Sequence, residues 1–585
     1  MRSLLLSRRD LDFLLHEWLH VTELTSRERY AEHSRDTFDA VLELCEQIAT
    51  DHFAPHNRTA DTHEPEFDGD RVRMIPEVAK ALEVFAAAGI TGAGMDGSVG
   101  GMQLPQAVTQ ACFLWFQAAN IGTAAYPFLT IANANLLLAH GSPKQIRTWV
   151  EPMVEGRFLG TMCLSEPQAG SSLADITTRA EPAADGTHRL FGNKMWISGG
   201  DHDLSENIVH LVLAKIPGGP AGVKGISLFL VPKILGNGER NDVSLAGVNH
   251  KMGYRGTVNT LLNFGEGRHR PGGEPGAVGH LVGEEHRGLA YMFHMMNEAR
   301  VGVGGGAAAL GYTGYLHALD YARTRVQGRR DGKPVAIVEH PDVARMLLAQ
   351  KSYAEGAVAL ILYCARLLDE ERTAPTEQDR ARAHLLLDVL TPIAKSWPSQ
   401  WCLAANDLAI QVHGGYGYTR EYAVEQLWRD NRLNAIHEGT HGIQGLDLLG
   451  RKVVMDGGAG LTLLLDTARA TVEAARAAGL GAHADPLAAA LDRTAEVTAT
   501  LWAAGDPAVA LANSSTYLEA VGHVVVAWMW LEQLVAVGGA TGDFYEGKRA
   551  AAGYFFRHEL PRTGPQFDLL ASLDRTTLDV RPDWF

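Results

Sequence analysis

The feature that most constrains this chain is a double change of periodicity. From Ser34 to about Val154 apolar residues recur at helical spacing, near Gly156 that pattern gives way to short β-rich runs, and after Gly288 it returns and persists to about Asp456. The β-rich runs are Phe158 to Leu164, His188 to Ile197, Ile208 to Lys215, Ile226 to Val231 and Asn259 to Phe264. Turn clusters such as Asp185-Gly186 and Pro217-Gly218-Gly219-Pro220 separate them, so the spacing predicts a compact β domain. Helical segments at 289–326, 341–369, 378–413 and 420–431 predict a four-helix bundle after it. The remainder is rich in alanine and leucine and helical again, ending in an irregular tail with Pro561, Pro565 and Pro582. The expected fold class is mostly α with a central β domain. It divides into an N-terminal helical domain (1–155), a middle β domain (156–287), a helical bundle (288–456) and an additional helical C-terminal domain (457–585).

Composition narrows the functions available. A chain of 585 residues with 46% hydrophobic and 21% charged content has ample core and no signature of disorder. Its formal charge of −16 leaves no basic footprint for replacing phosphate counterions, so no nucleic-acid partner is expected. The scattered Cys45, Cys112, Cys163, Cys364 and Cys402 form no C-x-x-C pair and read as buried thiols of a reducing cytoplasm. The apolar run after Met1 is three residues, too short for a secretory signal. The most apolar stretch, Val524 to Leu531, is broken by Glu532 and Gln533, so no transmembrane segment is expected and the stretch reads as a buried helix. Its Trp528 and Trp530 leave a second reading open, contact with a membrane surface or a partner.

Two motifs compete for the chemistry. His437-Glu438-Gly439-Thr440-His441 fits H-E-x-x-H, in which two histidines one helical turn apart hold zinc and the glutamate activates water. That geometry needs a regular helix, and Gly439, Gly442 and Gly445 crowd the stretch, each costing roughly 1 kcal/mol against alanine. The residues instead predict a loop ending at Gly439, Thr440 as N-cap, and a helix from about His441 through Leu446, Leu449 and Val453. Gln444 stands where a longer zinc pattern wants glycine, and Glu473 is the more distant carboxylate that could complete a ligand set. The run Gly302-Val303-Gly304-Gly305-Gly306-Ala307 imitates a dinucleotide fingerprint but follows no strand, so it reads as close helix packing.

Ile436-His437-Glu438-Gly439-Thr440, preceded by His413-Gly414-Gly415-Tyr416-Gly417-Tyr418, resembles the acyl-CoA dehydrogenase family, and the order helical domain, β domain, bundle is that family's architecture. Met162-Cys163-Leu164-Ser165-Glu166-Pro167-Gln168-Ala169-Gly170-Ser171 is similar to its first signature, and Lys194-Met195-Trp196-Ile197-Ser198 to the strand beside the flavin. The resemblance implies FAD as cofactor, contacted by Met162, Leu164, Ser165, Ser171, Trp196, Ser198 and Thr440. Arg325, Gln411, Gly414 and Gly415 would meet the FAD of a neighbouring subunit, which implies a homodimer or higher homo-oligomer. It further implies an acyl-CoA substrate near Ser171, Arg300 and Gly439, with Glu438 as the base that takes the α-proton. The hydride then goes to flavin N5, a trans-2-enoyl-CoA results, and an electron-transfer flavoprotein is the electron acceptor. The setting implied is fatty acid β-oxidation in the cytoplasm.

The departures are specific. Ala299 occupies the place where some relatives carry their base, Gln327 runs directly into Gly328, and Gln168, Ser172 and Gly442 replace a usual glycine, aspartate and glutamine. With the extra C-terminal portion, this pattern resembles the large bacterial subgroup containing broad fatty acyl-CoA and 3-methylmercaptopropionyl-CoA dehydrogenases. An oxidase of the same fold, a zinc hydrolase acting through His437 and His441, and a DNA-associated flavoprotein stay open as alternatives.

Overall fold

The computed structural model describes residues 3–585 and divides into two compact units. One unit comprises 39–104 and 119–299; the other comprises the chain up to Phe38, 105–118 and 300–585.

The first unit is built on an eight-stranded sheet. The five expected strands are present as Phe158–Cys163, His188–Ser198, Asn207–Lys215, Ile226–Pro232 and Asn259–Phe264, joined by Arg179–Pro182, Val243–Val248 and Ala277–Leu281. Ala277–Leu281 pairs with both Ile226–Pro232 and His188–Ser198, which closes the sheet into a barrel. Its interior is filled by Leu190, Val212, Phe229, Val231, Leu262 and Phe264, all with almost no exposed surface. The pairing of His188–Ser198 with Asn259–Phe264 slips between Lys194 and Ile197. Such a bulge re-aims the side chain it carries. Trp196 sits in it at φ 65°, and the residue is 61% exposed.

In the second unit the helices Pro341–Thr373, Glu377–His413 and Val424–Arg432 pack with the Arg300–Thr324 part of the Gly288–Thr324 helix. The glycine run lies within that last helix. A Cβ at Gly304 would fall 1.9 Å from the Ala394 carbonyl oxygen, so glycine is what lets the Glu377–His413 helix approach this closely. The C-terminal part adds Ala459–Ala477, Gly481–Ala503, Ser514–Val537 and Asp543–Tyr554. Trp528 and Trp530 are buried and donate to Thr471 Oγ1 at 2.9 Å and the Ser352 carbonyl at 3.1 Å. Those bonds remove the reading in which both tryptophans face a membrane or partner. Ser514–Val537, like Gln106–His140, has the length and apolarity of a bilayer span, but 83% of its most apolar window is buried in protein.

Two details differ from expectation. The C-terminal tail is mostly helical, with turns at Leu560–Arg562, Thr563–Ala571 and Thr576–Asp579. Pro561 and Pro565 fall in first turns, where a missing N–H has no partner to lose. The first residues are also part of the bundle unit. Buried Lys548 pairs with Asp10 and, at 2.9 Å, with Glu355, while Tyr312 donates to Asp10 at 3.0 Å. All five cysteines are free and buried.

Candidate active site

The Glu438 segment is shaped by local backbone chemistry. The short helix His441–Asp447 begins where Thr440 caps it, its hydroxyl accepting from the Ile443 N–H at 3.4 Å. Just before the cap, Glu438 (φ 53°) and Gly439 (φ 90°) form a left-handed pair. For a residue with a Cβ this conformation costs about 1–2 kcal/mol. At Gly439 a Cβ would also fall 2.4 Å from Gln444 Nε2, so a side chain there would displace the amide that holds the Glu438 carbonyl. Two buried side chains offset the cost. Gln444 donates to the Glu438 carbonyl at 2.9 Å, and Lys395, from the Glu377–His413 helix, donates to the Gly439 carbonyl at 2.6 Å. With its carbonyl turned inward, the Glu438 N–H has no acceptor among the described residues.

Electrostatics set this carboxyl apart. Glu438 touches solvent in part, but protein atoms crowd its carboxyl, and that burial raises its pKa to about 7 against the pull of Lys395 and Arg300. Burial likewise lowers Lys395 to about 7, a fall opposed by Glu438 and helped by Arg300. Arg300, expected near CoA, is buried and paired with Asp447 at 3.0 Å, so its cation bears on Glu438 from within the protein.

The same geometry tests the zinc motif. His437 and His441 are not one turn apart on a helix, because the helix starts at His441 and the residues between them are left-handed. His437 Nε2 lies 3.1 Å from Asn434 Oδ1, and His441 Nδ1 lies 3.1 Å from Ser396 Oγ. Among the described residues no group of three His, Cys, Asp or Glu side chains is arranged to hold a metal ion.

In the barrel unit, Leu164, Ser165 and Ser198 are half-buried and Ser171 is exposed at the end of the loop after Phe158–Cys163. Met162 is half-buried on that strand, in register with Leu211. Ser198 Oγ accepts from Asn259 at 3.2 Å. The loop is anchored by an ion pair sealed from water. Lys194 donates to Glu166 at 3.0 Å and to the Leu164 carbonyl at 2.9 Å, and both charged side chains have zero exposure. Glu166 also accepts from the N–H and hydroxyl of Thr177 and of Thr178 at 2.6–3.0 Å. Burial alone would raise its pKa, but Lys194, Thr178 and Thr177 hold it down to about 2. Beside this anchor, the uncovered indole of Trp196 and the hydroxyls of Ser165 and Ser198 make a donor set that fits a flat, polar-edged ring such as isoalloxazine.

In the bundle unit, Arg325, Gln411, Gly414 and Gly415 are all exposed near the end of the Glu377–His413 helix, where Gly414 takes φ 62°. The Arg325 guanidinium lies over the Tyr416 ring at 5.4 Å, and Tyr418 beyond it is 90% exposed. Lys395, Gln444 and the Glu166–Lys194 pairing carried no functional assignment in the sequence. Their one legible trace is Lys395 itself, a lone charge between Ile393-Ala394 and Trp397 in an otherwise buried helix face.

Comparison with known proteins matches the chain domain by domain. Residues 35–157, 161–266 and 286–453 match the N-terminal, middle and C-terminal domains of acyl-CoA dehydrogenase, and 464–581 match an acetyl-CoA dehydrogenase C-terminal-like domain. A 3-methylmercaptopropionyl-CoA dehydrogenase from Ruegeria pomeroyi is 36% identical, covering 94% of this chain and 95% of its own. The broad-specificity linear acyl-CoA dehydrogenase FadE5 of Mycobacterium tuberculosis is 34% identical over 98% of each chain. An acyl-CoA dehydrogenase from Bacillus anthracis, solved in complex with FAD, shares the fold with a TM-score of 0.73 over 94% of this chain and 93% of that one, at 20% identity.

Proposed function

The chain belongs to the acyl-CoA dehydrogenase family of oxidoreductases, and on that premise we propose that it binds FAD and dehydrogenates an acyl-CoA thioester to a trans-2-enoyl-CoA with Glu438 as base. The observation that carries this reading is a single carboxyl raised to about 7 and fixed in a left-handed turn by two buried side chains. A carboxylate with that pKa is a far stronger base than a solvated one and is still ionised in useful fraction at neutral pH. The Glu438 N–H, without an acceptor among the described residues, is available to the thioester oxygen. Polarising that oxygen stabilises the charge that develops as the α-proton leaves.

When bound, the flavin supplies the acceptor for the hydride that leaves the β-carbon. Trp196 offers its uncovered face to the isoalloxazine, and Ser165 and Ser198 offer hydroxyls to its polar edge. Arg325, Gln411, Gly414 and Gly415 present a cation and open backbone to the pyrophosphate and adenosine of a second copy's FAD, in a homodimer or higher oligomer. An electron-transfer flavoprotein is the acceptor we assign, in cytoplasmic fatty acid β-oxidation. The two relatives, named for linear and for methylmercapto-substituted acyl groups, support an unbranched acyl chain. Anaerobic mixing of the holoenzyme with butyryl-CoA and palmitoyl-CoA tests the proposal. Loss of the visible flavin absorbance is expected, and full retention with every thioester tried would refute it.

A further inference from the structure

We propose that Lys395 is the positioning residue of the base, gripping the Gly439 carbonyl so that the turn carrying the Glu438 carboxyl is held in working orientation while its ammonium sets the field on that carboxyl. This rests on the assignment of Glu438 above. Lys395 has zero exposure, between the buried Ile393, Ala394 and Trp397. Placing an ammonium there is costly unless something is gained from the charge. Its Nζ has three protons to donate, yet its one hydrogen bond among the described residues goes to the Gly439 carbonyl at 2.6 Å. That is a poor return for a purely structural lysine, since a neutral donor could pin one carbonyl at less desolvation cost. What a neutral donor cannot supply is the field on the adjacent carboxyl, which Lys395 exerts while protonated, below about pH 7, where the acid limb lies.

The geometry gives the grip a definite effect. Gly439 O and Glu438 O are the two carbonyls of the left-handed pair, and Lys395 and Gln444 hold one each. Fixing the 438–439 and 439–440 peptide planes fixes the turn on the C-terminal side of Glu438, and with it the direction in which the Glu438 side chain leaves the backbone. Releasing the Gly439 carbonyl frees the turn to relax toward ordinary dihedrals, and reacting groups displaced by about 1 Å lose roughly 10²-fold in rate. The position of Lys395 on a long buried helix makes the grip rigid. Gly304 contributes here, because it is the close approach at Ala394 that seats this helix.

The charge and the grip separate experimentally. K395M removes both, K395Q keeps a donor and removes the cation, and K395R restores the cation. In holoenzyme mixed with butyryl-CoA, K395M is expected to retain flavin and KM while its limiting bleaching rate falls roughly 10²-fold. In K395M and K395Q the acid limb of the rate–pH profile is expected to move to higher pH, because a carboxyl that loses a neighbouring cation becomes harder to ionise. K395R is expected to move it back. Neutral variants with the wild-type limiting rate and acid limb would overturn the assignment, and if one of them fails to fold the other carries the comparison. The reading of Glu438 fails separately: wild-type enzyme that is not bleached, or an E438Q variant that is, removes the base itself.

Discussion

Replacing Lys194 with methionine isolates the ion pair that anchors the flavin-side loop. The methionine matches the lysine stem in length and apolarity, so the change withdraws the cation and the donor to the Leu164 carbonyl. It leaves Glu166 fully buried with only neutral donors from Thr177, Thr178 and Gln168. A carboxyl held at about 2 instead of its ordinary 4.5 is worth about 3 kcal/mol to the folded state at neutral pH. Burial also lowers the Lys194 pKa, so the ammonium carries a cost of its own that offsets part of this figure. In wild-type protein this stability is present above the unfolded pKa and is lost as pH falls from 4.5 toward 2. In K194M burial raises Glu166, so the gap between variant and wild type should be widest at neutral pH and close in acid. Thermal melts of the two proteins at pH 7 measure the gap, and E166Q introduced into K194M should recover part of it by removing the orphaned charge. Flavin should also leave K194M faster, because Leu164 and Ser165 lose their anchor. A loss under about 1 kcal/mol at pH 7, or no recovery in the double variant, would refute the reasoning.

Three further outcomes are expected. The rate of flavin bleaching by acyl-CoA should rise with pH through about 7, since Glu438 acts only when unprotonated; a rate independent of pH across that range would contradict its raised pKa. Gly445→Ala places a Cβ 2.7 Å from the Ser514 carbonyl oxygen, forcing apart the helix after Glu438 and the Ser514–Val537 helix. It should cost about 1–3 kcal/mol and lower kcat more than KM, while Gly442→Ala, with only Thr440 Oγ1 at 3.9 Å, should be tolerated; equal behaviour of the two would contradict this packing. Trp196→Ala should leave the melting temperature of flavin-free protein almost unchanged, because the residue is 61% exposed, and weaken flavin binding about tenfold; tight flavin binding in the variant would remove the indole from the site.

What the sequence disclosed depended on how local the physics was. Thr440 as cap, and Glu438 just outside the helix, follow from cap chemistry confined to a few residues, and the structure has both. The five apolar strands were visible because β-branched runs carry their own period. Arg179–Pro182 has only an alanine facing the core, and Val243–Val248 and Ala277–Leu281 each contain a glycine, so none announces itself. Partnerships across the chain left no trace. Lys194 meets Glu166 across 28 residues, Lys395 meets Gly439 across 44, and Lys548 reaches back to Asp10 near the start of the chain. A lysine's burial is a property of what folds around it, and a charged residue is expected outside until that is known. Arg300 shows the same limit. Its pairing with Asp447, 147 residues along the chain, is written nowhere in the sequence around either residue.

The most direct measurement is anaerobic titration of Glu438→Gln holoenzyme with a thioester that bleaches the wild-type flavin. The amide keeps the size and hydrogen-bonding edge of the carboxyl and cannot accept the α-proton. Flavin content should equal wild type, thioester should still bind, and the visible absorbance should persist through hours of incubation. Bleaching at a rate within about tenfold of wild type would contradict the assignment of the base.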